Sequence, residues 1–153
     1  SLFNSSTIFT VNGPVVTTPV VTSFSFTGNS SYAYTDDGST SLPFSFTTSP
    51  GSSGKISQIT VRLQRAGGST RDGNLGGGNG YNNPFETSDT ISFSGSSGEW
   101  YINWIYVQDD NGYKTYYYSN GSVSQSPGDL DNISGVTSHS LFNSSTIFTV
   151  TDP

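Results

Sequence analysis

Apolar and polar residues alternate with a period of two along much of this chain, and that pattern predicts strands. Residues 57–65 are the clearest case: Ile59, Val61 and Leu63 alternate with Gln58, Thr60, Arg62 and Gln64. Successive side chains of a strand point to opposite faces, so this segment reads as a half-buried strand. Phe24 and Phe26 mark another strand within 20–27, and Leu42, Phe44 and Phe46 a third that stops at Ser49-Pro50-Gly51. Pro43 lies inside that third strand, and a residue with no N–H to give is expected at a sheet edge. Residues 100–108 are apolar on both faces, as at the centre of a sheet. Asp109-Asp110-Asn111-Gly112 follows, and its Asn-Gly pair is a hairpin signal, so 113–119 should pair back. Shorter alternations at Tyr32 and Tyr34, at 90–95 and at 147–150 complete the set.

The intervals carry turn chemistry. Residues 66–89 lose all periodicity and hold seven Gly and four Asn besides Pro84; they read as a long loop with room for one short strand. Residues 11–19, with Pro14 and Pro19, read as an extended linker or edge segment, and 122–139 as irregular. No stretch sustains a helical period. Short strands separated by turn clusters predict an all-β fold, an antiparallel β-sandwich.

A second pattern lies above the first. Residues 1–11, Ser-Leu-Phe-Asn-Ser-Ser-Thr-Ile-Phe-Thr-Val, are spelled again at 140–150. An identity of that length at an offset of 139 residues points to a tandem array of near-identical units. The first copy runs into Asn12-Gly13-Pro14 and the second into Thr151-Asp152-Pro153, so a unit boundary is expected at this turn. Residues 1–11 are then the closing strand of the preceding repeat, and 12–153 one whole repeat. Two identical strands compete for one position, and 140–150 are expected to hold it through native connectivity. Copy number of a large module serves length or valency, which points away from catalysis.

Composition sharpens this picture. Only 31% of the 153 residues are hydrophobic, but ten Phe, nine Tyr and two Trp supply large buried areas. Charged residues are 10%, too few for a disordered polyelectrolyte. Eleven acids face Lys55, Arg62, Arg65, Arg71 and Lys114, for a net charge of −6. That balance disfavours nucleic acid, which wants a basic face, and favours cations. No cysteine is present, so neither disulfides nor thiolate metal sites exist. No apolar run reaches membrane-spanning length.

The block from Gly98-Glu99-Trp100 to Gly112, with Asp109 before the Gly turn, follows the companion segment Gly54-Lys55-Ile56-Ser57-Gln58-Ile59-Thr60-Val61. With the Pro-rich entry and the tandem identity, these residues resemble the Ig-like extender repeats of long bacterial surface adhesins of the RTX type. The resemblance covers roughly residues 12–152. It implies an Ig-like β-sandwich outside the bacterial cell, strung between identical repeats and stiffened by calcium, with no membrane insertion of its own. The chain departs from such repeats at Tyr113, where Asn is common, and at Asn12, where Asp is common. Candidate calcium ligands are Asp109 and Asp110 on the hairpin, Asp129 and Asp131 on the irregular segment, and Asp152 at the exit junction. Asp36 and Asp37 share a further turn. Every one of these clusters also fits plain turn chemistry, because Asp and Asn cap turns without any metal.

Other chemistry is thinly represented. His139 is the single histidine, and no Gly-x-Ser-x-Gly elbow accompanies it, so a surface His is the better reading and no enzyme is expected. The run Gly76-Gly77-Gly78-Asn79-Gly80 lacks the Lys-Ser/Thr ending of a phosphate loop. Tyr81, Tyr101, Trp104 and the run Tyr116-Tyr117-Tyr118 could stack on sugar rings, which makes a carbohydrate-binding repeat the alternative to an extender.

Overall fold

A computed structural model describes residues 15–35, 39–76, 85–127 and 133–152. Its strands are β1 (Val16–Thr17), β2 (Val20–Phe26), β3 (Ser31–Ala33), β4 (Thr40–Ser49), β5 (Ile56–Arg65) and β6 (Thr70–Leu75). They continue with β7 (Ser88–Phe93), β8 (Gly98–Asp109), β9 (Lys114–Tyr118), β10 (Val123–Ser126), β11 (Ile133–Ser134) and β12 (Phe148–Thr151). A 3-10 turn, Gly51–Ser53, links β4 to β5, and no α-helix occurs among the described residues. The fold is all-β and sandwich-like: an antiparallel three-stranded sheet, β2-β4-β7, and a mixed seven-stranded sheet.

β8 organises the larger sheet. One of its edges pairs along nearly its whole length with β5, from Ile56 opposite Asp109 to Arg65 opposite Trp100. The other edge is shared. β9 takes Trp104 to Gln108, and β12 takes Gly98 to Trp100. β6 lies outside β5, β10 outside β9, and β3 runs parallel to β12. Both edges of 100–108 are therefore paired, which puts β8 inside the sheet, while only one of its faces is fully buried and the other, with Tyr101, Trp104 and Tyr106, is half-buried. The short strand allowed within 66–89 is β6, paired to β5 over six residues.

Pro43 does not mark an edge, for β4 is the middle strand of its sheet. Its carbonyl accepts the Thr27 N–H at 3.0 Å, just beyond the end of β2 at Phe26. N–H and C=O of one strand residue point the same way, so the missing donor falls where pairing with β2 has already ended. Within 122–139, expected to be irregular, residues Val123–Ser126 form a strand. β10 there continues the β9 hairpin, with Val123 opposite Tyr117.

The core lies between the sheets. Leu42, Phe44, Phe46, Ile91 and Phe93 on one side meet Ile59, Val61, Leu63, Trp100, Ile102, Ile105, Val107 and Phe148 on the other, all buried. Tyr117 is buried with them, and its hydroxyl accepts the Val21 N–H at 2.8 Å, tying the sheets together. Burial pushes the Tyr117 phenol up to about 12, against a smaller downward pull from the Val21 bond. In the unfolded chain this tyrosine ionises near 10. Between pH 10 and 12 the unfolded state therefore sheds a proton that the native state keeps, and stability falls with rising pH. Below pH 10 the contribution is intact. The expected loss across that window is about 2–3 kcal/mol. Urea midpoints from pH 9 to 12 for the wild type and Tyr117→Phe check this: equal slopes in the two proteins would exclude Tyr117 as the source.

Candidate functional site

The two ends of the sandwich differ, and β8 spans the distance between them. At one end Thr17 N–H donates to Ser52 Oγ at 2.7 Å, and Thr115 Oγ1 donates to Pro19 O at 2.5 Å and lies 2.8 Å from the Thr18 hydroxyl. Thr115 lies opposite Val107, close to the Asp109 hairpin. The chain therefore enters the sandwich here. It leaves at the other end, where Val150 lies opposite Gly98 and Thr151 O accepts the Tyr34 N–H at 2.8 Å. Entry and exit lie at the levels of Val107 and Gly98, near opposite ends of a twelve-residue strand, about 30 Å apart at the usual rise.

At the entry end the Asp109 hairpin is a three-residue loop. Asp109 N–H bonds Tyr113 O at 3.0 Å, Gly112 N–H bonds Asp109 O at 3.1 Å, and Gly112 has φ 84°. This is a turn closed by a left-handed residue, the conformation glycine adopts most freely. The Asp109 carboxylate holds the loop from inside. It is 1% exposed, and its Oδ1 accepts the N–H groups of Asn111 at 3.0 Å and Tyr113 at 2.9 Å. Asp110 is half-buried beside it, with Oδ1 enclosed and without a hydrogen-bond partner among the described residues. Asp152 is exposed at the exit end. Asp129 and Asp131, like Asp36, Asp37 and Tyr81, lie outside the described residues, as do residues 1–11.

Calcium takes six to eight oxygen ligands. Among the described residues no three acidic or histidine side chains converge, and one Asp109 oxygen is already committed to the turn. Asp109 and Asp152 stand at opposite ends, so one unit does not bring them together.

The outer face of the large sheet carries the aromatic group. Alternation sends Tyr117 inward and leaves Tyr116 and Tyr118 half-buried on the outside. They join Trp104 and Tyr106 of β8: Trp104 stacks on Tyr106 at 5.6 Å, Tyr106 meets Tyr116 at 5.0 Å, and Tyr116 stacks on Tyr118 at 6.1 Å. The Arg62 guanidinium covers the Trp104 ring at 4.7 Å, and the Lys114 ammonium covers the Tyr106 ring at the same distance. Arg62 also donates two bonds to Asp72, at 2.7 and 2.8 Å, which hold the Asp72 carboxyl below the ordinary carboxylate range. Gln58 Nε2 donates to Tyr106 Oη at 3.2 Å. The face is a ladder of rings lying against one another under a polar fringe.

Sequence reasoning did not foresee a cleft of about 650 Å³ between β2 and 139–147, lined by Phe24, Phe26, Ile102, His139, Phe142 and Asn143 among others. His139 braces this wall. Its Nδ1 accepts the Leu141 N–H at 3.1 Å, which leaves the proton on Nε2 to donate to Tyr118 O at 2.6 Å. Both ring nitrogens serve the backbone. The cleft escaped notice because its two walls are more than a hundred residues apart in sequence.

No family model, curated protein or solved structure matches the chain.

Proposed function

We propose that this chain is one extender repeat of a long bacterial surface adhesin, with the Ig-like form of the sandwich, acting outside the cell as a rigid spacer for a distal binding tip. The observation that carries it is the placement of entry and exit at opposite ends of β8 in a chain that repeats itself after 139 residues. Units joined in that way extend end to end, and each adds nearly its full long axis. The protein's work is mechanical, and no reacting group is needed.

The same placement gives calcium a geometry. Asp152 leaves one unit where the Asp109–Asp110 hairpin of the next unit would begin it, so a junction joins acidic groups that one unit keeps apart. We place the stiffening calcium there. Proline after Asp152 limits the freedom of the joint. A two-unit protein tests both parts. Small-angle scattering should give a maximum dimension at least about 30 Å greater than that of one unit, and an increase of less than half that would end the spacer reading. Calorimetric titration with calcium should give a saturable heat and a higher melting temperature in two units only. A silent titration would remove the stiffening ion and leave the length.

The aromatic ladder favours a second reading, a repeat that binds glycans and gains avidity from copy number. Sugars stack on open ring faces, whereas Arg62 and Lys114 already lie over two of these rings. That places the glycan reading second. On a glycan array the single repeat is expected to give no signal that Trp104→Ala abolishes. A robust hit lost in that variant would reverse the order.

A further inference from the structure

The position held by β12 is specified by side chains that the chain owns twice. Phe148 is 1% exposed and its ring meets four others: Phe93 at 5.2 Å, Phe26 at 5.5 Å, Tyr32 at 5.6 Å and Trp100 at 6.4 Å. Val150 is buried beside it. The backbone is bonded on both sides, with Ile147 N–H to Trp100 O at 2.8 Å and Thr149 N–H to Ser30 O at 2.9 Å. Residues 8–11 repeat residues 147–150 without a change, so Phe9 and Val11 match this slot as well as Phe148 and Val150 do.

Reach decides which slot they can enter. Val11 would have to stand where Val150 stands, opposite Gly98, whereas Thr18 is fastened near the level of Val107. Nine positions of β8 separate those levels, about 30 Å at the rise of a strand. The seven residues from Val11 to Thr18 span at most about 25 Å when fully extended, and they leave the slot heading away from their target. A molecule therefore cannot close its own slot with its own N-terminal copy.

We infer that the β12 slot is an interaction site for a second copy of this chain, which inserts its residues 1–11 between β8 and β3. The bonds exchanged are equivalent, so competition with the tethered 140–150 is set by concentration. A tethered segment acts at an effective concentration in the millimolar range, and it wins in dilute solution. When it is disabled, the donor segment takes over. Each molecule then gives one end and receives at the other, an open head-to-tail arrangement that adds units without closing.

The full chain provides the test. In Phe148→Ser/Val150→Ser the C-terminal copy is disabled and the N-terminal copy intact. This protein should elute at dimer mass and above, and its melting temperature should rise with protein concentration. Adding Phe9→Ser/Val11→Ser should abolish both behaviours. A labelled eleven-residue peptide of the repeated sequence should bind the first variant saturably and bind the wild type at least tenfold more weakly. If the two variants share one elution volume and one concentration-independent melting curve, or if the peptide binds neither, the inference is wrong. Nonspecific aggregation would not depend on Phe9 and Val11, so the four-site variant separates it from strand exchange.

Discussion

Phe148→Ala is expected to cost about 3–5 kcal/mol, the range for truncating a fully buried phenylalanine. The site gives the upper part of that range a physical reason. Phe148 stands between the two sheets, edge-on to Phe93 and Tyr32 and stacked with Trp100. Those rings are anchored on separate strands, so the space left behind cannot collapse from one side alone. Domains of this size have about 5–15 kcal/mol of total stability, and the variant should stay folded with little to spare. Urea unfolding would show a much lower midpoint at unchanged slope. Phe142→Ala is the internal comparison: that ring is only half-buried at the cleft, and its loss should cost markedly less. A loss below about 1 kcal/mol at Phe148 would mean that β12 is not the plug of this core.

Where a strand's surroundings were written into its own residues, the sequence could be read. The two-sided apolar pattern of 100–108 placed β8 at the centre, whereas which tyrosine of the 116–118 run turns inward, Tyr117, came only from the structure. Pairing between distant segments was not legible. Nothing in Phe148–Thr151 tells that it lies antiparallel to β8 and parallel to β3, because both partners are chosen by packing rather than local preference. β10 escaped for a related reason: Val-Ser-Gln-Ser has no alternation, and all four residues are half-buried beside β9. Pro43 misled because the rule about proline in sheets concerns one hydrogen bond, and that bond was already absent where β2 stops. The Asp109–Gly112 segment was legible as a turn, but the backbone partners of the Asp109 carboxylate were not.

Asp109 is where the turn and the metal readings of one carboxylate separate most sharply. Asp109→Ala removes the acceptor of two backbone N–H groups, those of Asn111 and Tyr113. Hydrogen bonds to a charged group are worth about 1.5–3 kcal/mol each, so a loss of about 3–4 kcal/mol in calcium-free buffer is expected. Asp109→Asn keeps an oxygen where Oδ1 lies and removes the charge. If the carboxylate chiefly shapes the hairpin, Asn should recover most of the stability lost in Ala, since Asn serves this kind of turn almost as well as Asp. Calcium would add a second, separable effect: in a two-unit protein Asp109→Asn would keep its calcium-free melting temperature and lose the increase on adding the ion. Chemical unfolding of the three single-unit proteins in chelator, repeated on two units with calcium, resolves both. Should Asn prove as damaging as Ala without metal, the negative charge itself would be what the buried hairpin needs, and the turn geometry described above would not account for it.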